Sequence, residues 1–360
     1  MKIIFSKPPK KKILVFDRAS SDALKLFIST HQFEILDRRK ESVNIYVAVT
    51  TFLKSGLKDF KFNYFKNYLL AVNPRIVITF IDNNFTFFLL KKLFPGPKYI
   101  CIQNGNRNEI FFKELKKFYN LNKNLEIDYF FVFNKNIIKH LSSFVKSKYY
   151  SIGSIKNNHF VKKKKINEKK YILFVTQTTS NFRIAETYVF QELNKFCYQK
   201  KIKLIFLEKK KSNIFNENFF RDKLKSSNWV YVKYIDIKST YEIINKSLMV
   251  IFLDSTLGYE ALSKGIKVAC FPYGSLNKSF GNHDIQQTQA PIKFGYPNKF
   301  NNSGPFWSNH ANKDLIIPLL EKVYNYKSYE WNKIYKKYSS KIMEYDSNNK
   351  ILKKILKKYL

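Results

Sequence analysis

The sequence predicts an α/β protein made of two doubly wound, Rossmann-like domains that face a central cleft. Short runs of β-branched and aromatic residues, apolar along their whole length, alternate with longer stretches of helical spacing. This alternation is typical of a parallel sheet covered by helices on both faces. The charged stretch 161–170 interrupts the alternation, which then restarts. A length of 360 residues also fits two domains of roughly 100–200 residues each.

The first half, residues 1–160, alternates strands and helices and forms the first predicted domain. Its predicted strands are 13–16, 34–36, 44–49, 75–81, 99–103, 129–133 and 149–152. Its predicted helices are one from about Ser21 and the segments 59–71, 85–94, 109–119 and 135–144. We interpret 161–170 as the linker because it is charged and lacks an apolar face.

The second half repeats the pattern over 171–327 and forms the second predicted domain. Its predicted strands are 171–175, 203–207, 229–234, 249–253 and 267–271. Its predicted helices are 184–200, 217–224, 240–247, 255–264 and 313–323. A long loop, 272–307, follows the last strand, and loops of this length in α/β domains are usually functional or disordered. Residues 328–360 are expected to form C-terminal helices that cross back to the first domain.

Composition limits the classes of function. The hydrophobic fraction of 45% excludes a disordered chain, and the net charge of +38 suggests an anionic partner. The cations are 58 lysines and only seven arginines, whereas proteins that bind nucleic acid specifically favour arginine. We therefore attribute most of the excess positive charge to AT-rich codon usage. The three cysteines lie apart in apolar runs and predict buried free thiols. Neither a signal peptide nor a membrane-spanning segment is predicted, which favours the cytoplasm.

The segment 249–265 predicts a strand, a tight turn, a short helix and a glycine stop. Ser255 is a suitable N-cap, and Gly265 suits the left-handed position after the helix. The helix N-terminus then points its backbone N–H groups out of the carboxyl end of a strand. Such an end binds anions.

Three further residues of this helix suit a ligand. Gly258 carries no side chain that would block a close approach, and Thr256 and Glu260 share one helix face. A phosphate would take the Ser255 and Thr256 end, and a hydroxyl-bearing group would reach the Glu260 carboxylate. The alternative is a well-capped surface helix that binds nothing.

The run Asp254-Ser-Thr-Leu-Gly-Tyr-Glu-Ala-Leu-x-x-Gly265 resembles the donor-site helix of GT-B glycosyltransferases. Most of the chain resembles, more narrowly, the bacterial surface-carbohydrate-biosynthesis transferases. The other matching segments are Ile13-Leu-Val-Phe-Asp17, Gln103-Asn-Gly105 and Ile152-Gly-Ser-Ile-Lys-Asn-Asn158.

The resemblance implies a donor site in the second domain. In GT-B enzymes the helix glutamate binds the donor ribose and the serine/threonine end meets the diphosphate. This assigns the ribose to Glu260 and the phosphates to Ser255, Thr256 and Gly258. Three more donor-side candidates lie in loops after strands or in the long loop: Arg183, Asp236 and His283. No metal ion and no cofactor is implied, because helix dipoles and cations stabilise the leaving diphosphate.

The acceptor side is expected in the first domain. Gln103, Asn104, Gly105 and Arg107 directly follow a predicted strand and therefore face the expected cleft. Inverting transfer needs a general base, and the carboxylates after strands are those of Asp17 and Asp82. Each of these aspartates is also a suitable helix N-cap.

The segment 350–360 predicts an amphipathic helix with apolar residues on one face and lysines on the other. It would lie on an anionic membrane or pack its apolar face on the first domain. We favour packing.

Together with these patterns, the resemblance implies a metal-independent GT-B glycosyltransferase. It would move a sugar from a nucleotide-sugar donor to a cell-surface glycan or lipid-linked acceptor, peripherally at the inner face of the cytoplasmic membrane. The alternatives are a nucleotide-sugar 2-epimerase or a polyol-phosphate (glycerophospho-) transferase on the same fold. A basic nucleic-acid-binding protein is the alternative of another class, and we expect no specific nucleic acid.

Overall fold

The computed structural model describes residues 1–39, 41–160, 170–176, 183–208, 217–224, 228–272, 293–310 and 312–360. The chain forms two compact units. The first unit comprises Met1–Asn104, Lys113–Ile155 and Asp346–Leu360, and the second comprises Gly105–Phe112 and Lys156–Tyr345. Each unit therefore takes a segment from outside its own half of the sequence.

The first unit contains, in its described residues, a parallel sheet of six strands in the order β3-β2-β5-β6-β7-β8. The strands are β2 (Ile13–Phe16), β3 (Phe33–Leu36), β5 (Ile76–Thr79), β6 (Lys98–Ile102), β7 (Leu125–Val132) and β8 (Val145–Ser151). A separate parallel pair is formed by β1 (Lys2–Ile4) and β4 (Ser42–Asn44). All four residues of β2 and all four of β5 are buried, as the continuous apolar runs predict.

The first unit also contains helices. They are α1 (Ile45–Ser55), α2 (Phe60–Val72), α3 (Leu90–Leu93), α4 (Glu109–Asn122), α5 (Lys135–Leu141) and α13 (Lys350–Lys357). Shorter 3₁₀ segments span Ser21–Leu26, Thr30–Gln32, Phe85–Leu89 and Ser347–Asn349. Helix α4 begins in the segment that belongs to the second unit.

The prediction of a strand over 44–49 is wrong. Asn44 ends β4 and caps α1, because its Oδ1 accepts a hydrogen bond from the Val47 N–H at 3.0 Å. Val47 and Thr51 lie four residues apart and are both buried, so a helical face is packed despite the β-branched residues. Packing and the cap outweigh the local strand propensity.

The second unit contains, where the chain is described, a parallel sheet of five strands in the order β11-β10-β9-β12-β13. The strands are β9 (Tyr171–Val175), β10 (Lys203–Leu207), β11 (Trp229–Val232), β12 (Ser247–Phe252) and β13 (Lys267–Cys270). The helices are α7 (Arg183–Gln199), α8 (Glu217–Lys223), α9 (Ile237–Asn245), α10 (Thr256–Ser263), α11 (Ile316–Asn325) and α12 (Ser328–Ile342). The short helix α6 (Ile155–His159) runs from the first unit into the second, and a 3₁₀ segment spans Lys313–Leu315.

Helix α13 completes the core of the first unit. Leu352, Ile355 and Leu356 are buried in one hydrophobic cluster with Ile13 and Val15 of β2. The Tyr359 hydroxyl lies 2.6 Å from the Tyr129 hydroxyl, and this hydrogen bond and burial raise the pKa of Tyr129 to about 12. The four lysines at 353, 354, 357 and 358 are exposed. The apolar face of the tail is therefore packed inside the protein.

Two predicted segments fall largely outside the described residues, namely 161–169 of the linker and 273–292 of the long loop. Within the described ranges, no helix combines the length and the apolar character needed to cross a bilayer. Cys101, Cys197 and Cys270 are buried free thiols, as predicted, and burial raises the pKa of Cys197 to about 12.

Candidate functional site

Helix α10 begins just beyond the carboxyl end of β12, as the sequence predicts. Its C-terminus is closed by Gly265, whose φ is +72°. The Gly265 N–H donates to the Leu262 carbonyl at 2.8 Å, and the Ile266 N–H donates to the Ala261 carbonyl at 3.1 Å. This pair of bonds is the Schellman motif, so the glycine stop is confirmed.

Ser255 occupies the N-cap of α10 but does not make the predicted cap bond. Its side chain is fully buried, and its hydroxyl has no hydrogen-bond partner among the described residues. The Ser255 carbonyl accepts from the Gly258 N–H at 3.0 Å. A buried hydroxyl without a partner costs about 1–3 kcal/mol, which makes Ser255 a candidate ligand contact.

The loop that follows β6 reaches the first residue of α10. The Asn106 N–H donates to the Thr256 Oγ1 at 3.3 Å, and the Phe112 ring lies 5.9 Å from the Tyr296 ring. Gly105 and Arg107 therefore belong to the unit that contains α10. The sequence analysis places both residues with the first domain, and the structure corrects this placement.

Arg107 folds back over its own loop. Its guanidinium lies 5.3 Å from the centre of the Phe111 ring. A Cβ added at Gly105 would lie 3.4 Å from Nη1 of Arg107. The side chain is half-buried and brings a permanent cation into the loop that contacts Thr256.

Glu260 is a buried member of a hydrogen-bond network. The residue is 3% exposed and its Oε2 accepts from the Tyr241 hydroxyl at 2.7 Å. The Tyr241 ring stacks on Phe160, with 5.1 Å between ring centres. The Glu260 carbonyl accepts from Nδ2 of Asn157 at 3.2 Å. Glu260 thus ties α10 to α9 and α6, and a role in binding ribose stays a prediction.

Gly258 is required by the packing of α10 on its own strand. A Cβ at this position would lie 2.1 Å from Cγ of the Phe252 ring. Its buried position faces the last residue of β12, so packing accounts for the glycine. The sequence interpretation attributed this glycine to a ligand, and a phosphate contact stays a prediction.

Asp236 caps α9. Its Oδ1 accepts from the Ser239 N–H at 2.7 Å, and this hydrogen bond lowers the pKa of the carboxyl group. Glu208, at the carboxyl end of β10, is 6% exposed and accepts from the Tyr234 N–H at 2.9 Å. Arg183 begins α7, but its side chain and the whole of His283 lie outside the described residues.

On the first sheet, Gln103 and Asn104 make contacts within the fold. Oε1 of Gln103 accepts from the Phe133 N–H at 2.9 Å, which joins the ends of β6 and β7. Nδ2 of Asn104 donates to the Ser20 hydroxyl at 3.0 Å. Asp82, beyond β5, is 1% exposed and does not cap the following 3₁₀ segment, whose N-cap is Asn84.

Asp17 is engaged through both carboxylate oxygens. Oδ1 accepts from the Ala19 N–H and Oδ2 from Nε of Arg39, each at 3.0 Å. The residue is 1% exposed and has a φ of +80°, a strained value for a residue with a side chain. A second pair joins the same two loops, because Arg18 donates two hydrogen bonds of 2.7 and 3.0 Å to the Asp37 carboxylate.

Within the described residues, no group of three His, Cys, Asp or Glu side chains is arranged to hold a metal ion. The described site thus consists of the α10 N-terminus, the loop Gly105–Phe112 and the buried network around Glu260.

A family profile described as "putative O-antigen biosynthesis protein" matches residues 100–360, which is most of the chain. The chain belongs to this family. The matched range contains α10, the loop that contacts it and all the described strands of the second sheet. None of the curated proteins matches the sequence.

Several solved structures have a fold similar to that of this chain. MnaA of S. aureus, solved with UDP, is 14% identical with a TM-score of 0.54, and 96% of each chain is covered. The UDP-GlcNAc 2-epimerase of Methanocaldococcus jannaschii, in complex with UDP-GlcNAc and UDP, is 12% identical with a TM-score of 0.54 over 99% of this chain and 100% of the other. The wall teichoic acid polymerase TagF, soaked with CDPG, is 14% identical with a TM-score of 0.53 over 98% and 89%. These matches confirm the predicted fold class.

The sequence analysis missed several polar residues near the ends of strands. Glu208 follows a buried strand, which was an available signal. The cross-paired residues Arg18, Asp37 and Arg39 also follow strands, in the runs Asp17-Arg18 and Asp37-Arg38-Arg39. Their pairing depends on the proximity of two loops and is not visible in either run alone.

Proposed function

We propose that the protein transfers a sugar from a nucleotide-sugar donor to a hydroxyl of a cell-surface glycan or lipid-linked acceptor, without a metal ion. The observation that carries the proposal is the N-terminus of α10, where a buried Ser255 hydroxyl without a described partner meets Thr256 and the loop of Arg107. The family description and the nucleotide ligands of similar structures support a role in surface glycan synthesis.

The donor diphosphate would lie at this helix end. Free amides of the first turn and the helix dipole favour an anion, and hydroxyls of Ser255 and Thr256 add donors. Negative charge grows on the diphosphate as the bond to the sugar breaks. Cations and dipoles already in place stabilise that charge without reorganisation, and Arg107 is the described cation of the loop.

The acceptor hydroxyl would attack the anomeric carbon while the carbon–oxygen bond to the diphosphate breaks. In an inverting transfer, the proton of that hydroxyl passes to a base. The candidate bases are the carboxylates of Asp17 and Asp82, which follow the strands β2 and β5 of the first sheet. The side chain of Glu260 would position α10, and its carboxylate would accept a hydrogen bond from the ribose of the donor.

A nucleotide-sugar 2-epimerase is the second candidate, and a polyol-phosphate transferase is the third. The similarity to UDP-GlcNAc 2-epimerases favours the former, and the similarity to a wall teichoic acid polymerase soaked with CDPG favours the latter. An epimerase changes the donor sugar without an acceptor, whereas either transferase requires one. If the protein were instead a general nucleic-acid-binding protein, its affinity for nucleic acid of any sequence would fall steeply with added salt.

A thermal-shift screen against UDP-, CMP-, CDP-, GDP- and dTDP-linked sugars tests the proposal. A ligand at 100 times its Kd adds about 2.7 kcal/mol of stability. The matched variants are Ser255→Ala, at the site, and Ser340→Ala, exposed on α12. We expect one nucleotide class to stabilise the protein and Ser340→Ala, and to lose its effect with Ser255→Ala. Stabilisation by none of the nucleotides would reject the proposal.

A further inference from the structure

Three of the seven arginines of this lysine-rich chain lie in the loops after β2 and β3, at positions 18, 38 and 39. Two of them brace the loops reciprocally: Arg18 of the first loop binds Asp37 of the second, and Arg39 of the second binds Asp17 of the first. The two aspartate side chains are each 2% exposed. This arrangement fixes both loops at the carboxyl edge of the sheet.

Arg38 lies between these pairs and is held differently. Its guanidinium is 4.7 Å from the centre of the Phe16 ring and 5.9 Å from that of Phe65. Among the described residues, no hydrogen bond or ion pair joins it to a carboxylate. Burial lowers the pKa of Arg38, and the nearby charge of Asp17 opposes this effect.

The residue type matters because lysine is the default cation of this protein. A guanidinium presents five N–H donors in a planar fork that fits phosphoryl and carboxylate groups, and its face stacks on aromatic rings. The Arg38 guanidinium lies against the Phe16 ring, and among the described residues its N–H groups form no hydrogen bond to a carboxylate. A half-buried cation that is positioned by rings and lacks a carboxylate is arranged to receive an oxyanion.

We propose that Arg38 binds an oxyanion of the acceptor, a phosphoryl or carboxylate group, at the carboxyl edge of the first sheet. The assignment to the acceptor rests on the proposed function, which gives the donor to α10 of the other unit. The cross-paired Arg18 and Arg39 hold the loops and do not themselves bind the anion.

Arginine side-chain NMR tests the site directly, because ¹⁵N-arginine labelling gives only seven Nε–Hε signals to resolve. Inorganic pyrophosphate and malonate serve as the phosphoryl and carboxylate probes. Arg38→Lys assigns the signal of Arg38, and Arg75, exposed just before β5, is the internal control. We expect the Arg38 signal to move saturably with at least one probe. An Arg38 signal that moves no more than that of Arg75 would overturn the proposal.

Kinetics test the assignment to the acceptor. Arg38→Gln should raise the acceptor KM about tenfold or more and leave the donor affinity unchanged, whereas Arg75→Gln should change neither. Arg38→Lys should recover only part of the loss because a lysine lacks the fork. Equal loss of donor and acceptor affinity would contradict the assignment. If no nucleotide sugar binds at all, the proposed function fails while the NMR result for Arg38 still stands or falls by itself.

Discussion

The buried carboxylate of Asp17 accepts a hydrogen bond from Nε of Arg39 at 3.0 Å. This bond joins two loops that are also joined by the ion pair between Arg18 and Asp37. The other oxygen of Asp17 accepts from the Ala19 N–H at 3.0 Å, so both carboxylate oxygens hold neighbouring groups. The reciprocal pairs therefore explain the aspartate at the end of β2 as a structural brace.

Asp17→Asn should destabilise the fold by about 1–3 kcal/mol, because Arg39 loses its partner and a buried acceptor is replaced. Arg39→Gln should have a smaller effect, and the double variant should show less than the sum of the two losses. Urea denaturation measures all three. A stable Asp17→Asn variant that loses activity with an altered pH profile would instead identify Asp17 as the base.

Glu260→Gln should keep the fold, because the amide oxygen can still accept a hydrogen bond from the Tyr241 hydroxyl. The variant should bind the nucleotide-sugar donor more weakly, because the negative charge is lost. Glu260→Ala should also lower stability, by about 1–3 kcal/mol, since it leaves the Tyr241 hydroxyl without this acceptor. Calorimetry with the nucleotide from the screen gives the affinity. Tyr241→Phe is the control, because it removes the hydrogen bond but keeps the Glu260 carboxylate. Unchanged donor affinity in Glu260→Gln would exclude Glu260 from the donor site.

Gly258→Ala should destabilise the protein by about 1–3 kcal/mol, because its Cβ would overlap the Phe252 ring. Phe252→Leu should be tolerated better in the Gly258→Ala background than in the parent chain, since the smaller side chain relieves the overlap. Thermal denaturation of the four proteins measures this coupling. If Gly258→Ala folds normally but loses nucleotide binding, the glycine serves the ligand.

Leu352→Ala should cost about 2–5 kcal/mol of stability, the usual range for a leucine buried in a core. Lys353→Ala, on the exposed face of the same helix, should be nearly neutral. Deletion of 350–360 should lower the melting temperature and leave sedimentation with anionic vesicles little changed. A deletion that abolishes vesicle binding and leaves the melting curve unaltered would refute the packing role.

Sugar transfer should survive EDTA, because the proposed diphosphate site relies on helix amides, hydroxyls and Arg107. Activity is measured with and without the chelator, followed by addition of Mn²⁺ or Mg²⁺. Loss of transfer with EDTA and its recovery with either ion would overturn metal independence. Asp254, next to the buried Ser255, would then be the first residue to mutate.

The sequence predicts features that depend on neighbouring residues. Apolar runs such as 13–16 mark strands buried on both faces, and the glycine stop at Gly265 marks the end of α10. The strand predicted at 44–49 fails because the cap at Asn44 and tertiary packing decide the helix there. The partners of Glu260, Gly258 and Thr256 lie in distant segments or on the facing strand, so no local pattern reveals them.

The position of α13 has a consequence for folding during synthesis. The strands β2 and β5 leave the ribosome early, but the residues that close their core, Leu352, Ile355 and Leu356, follow the whole of the second unit. Until those residues emerge, the face of the first sheet at Ile13 and Val15 lacks part of its cover. The second unit can thus complete its own sheet on a nascent chain while the first still exposes apolar surface, and such transient exposure favours aggregation.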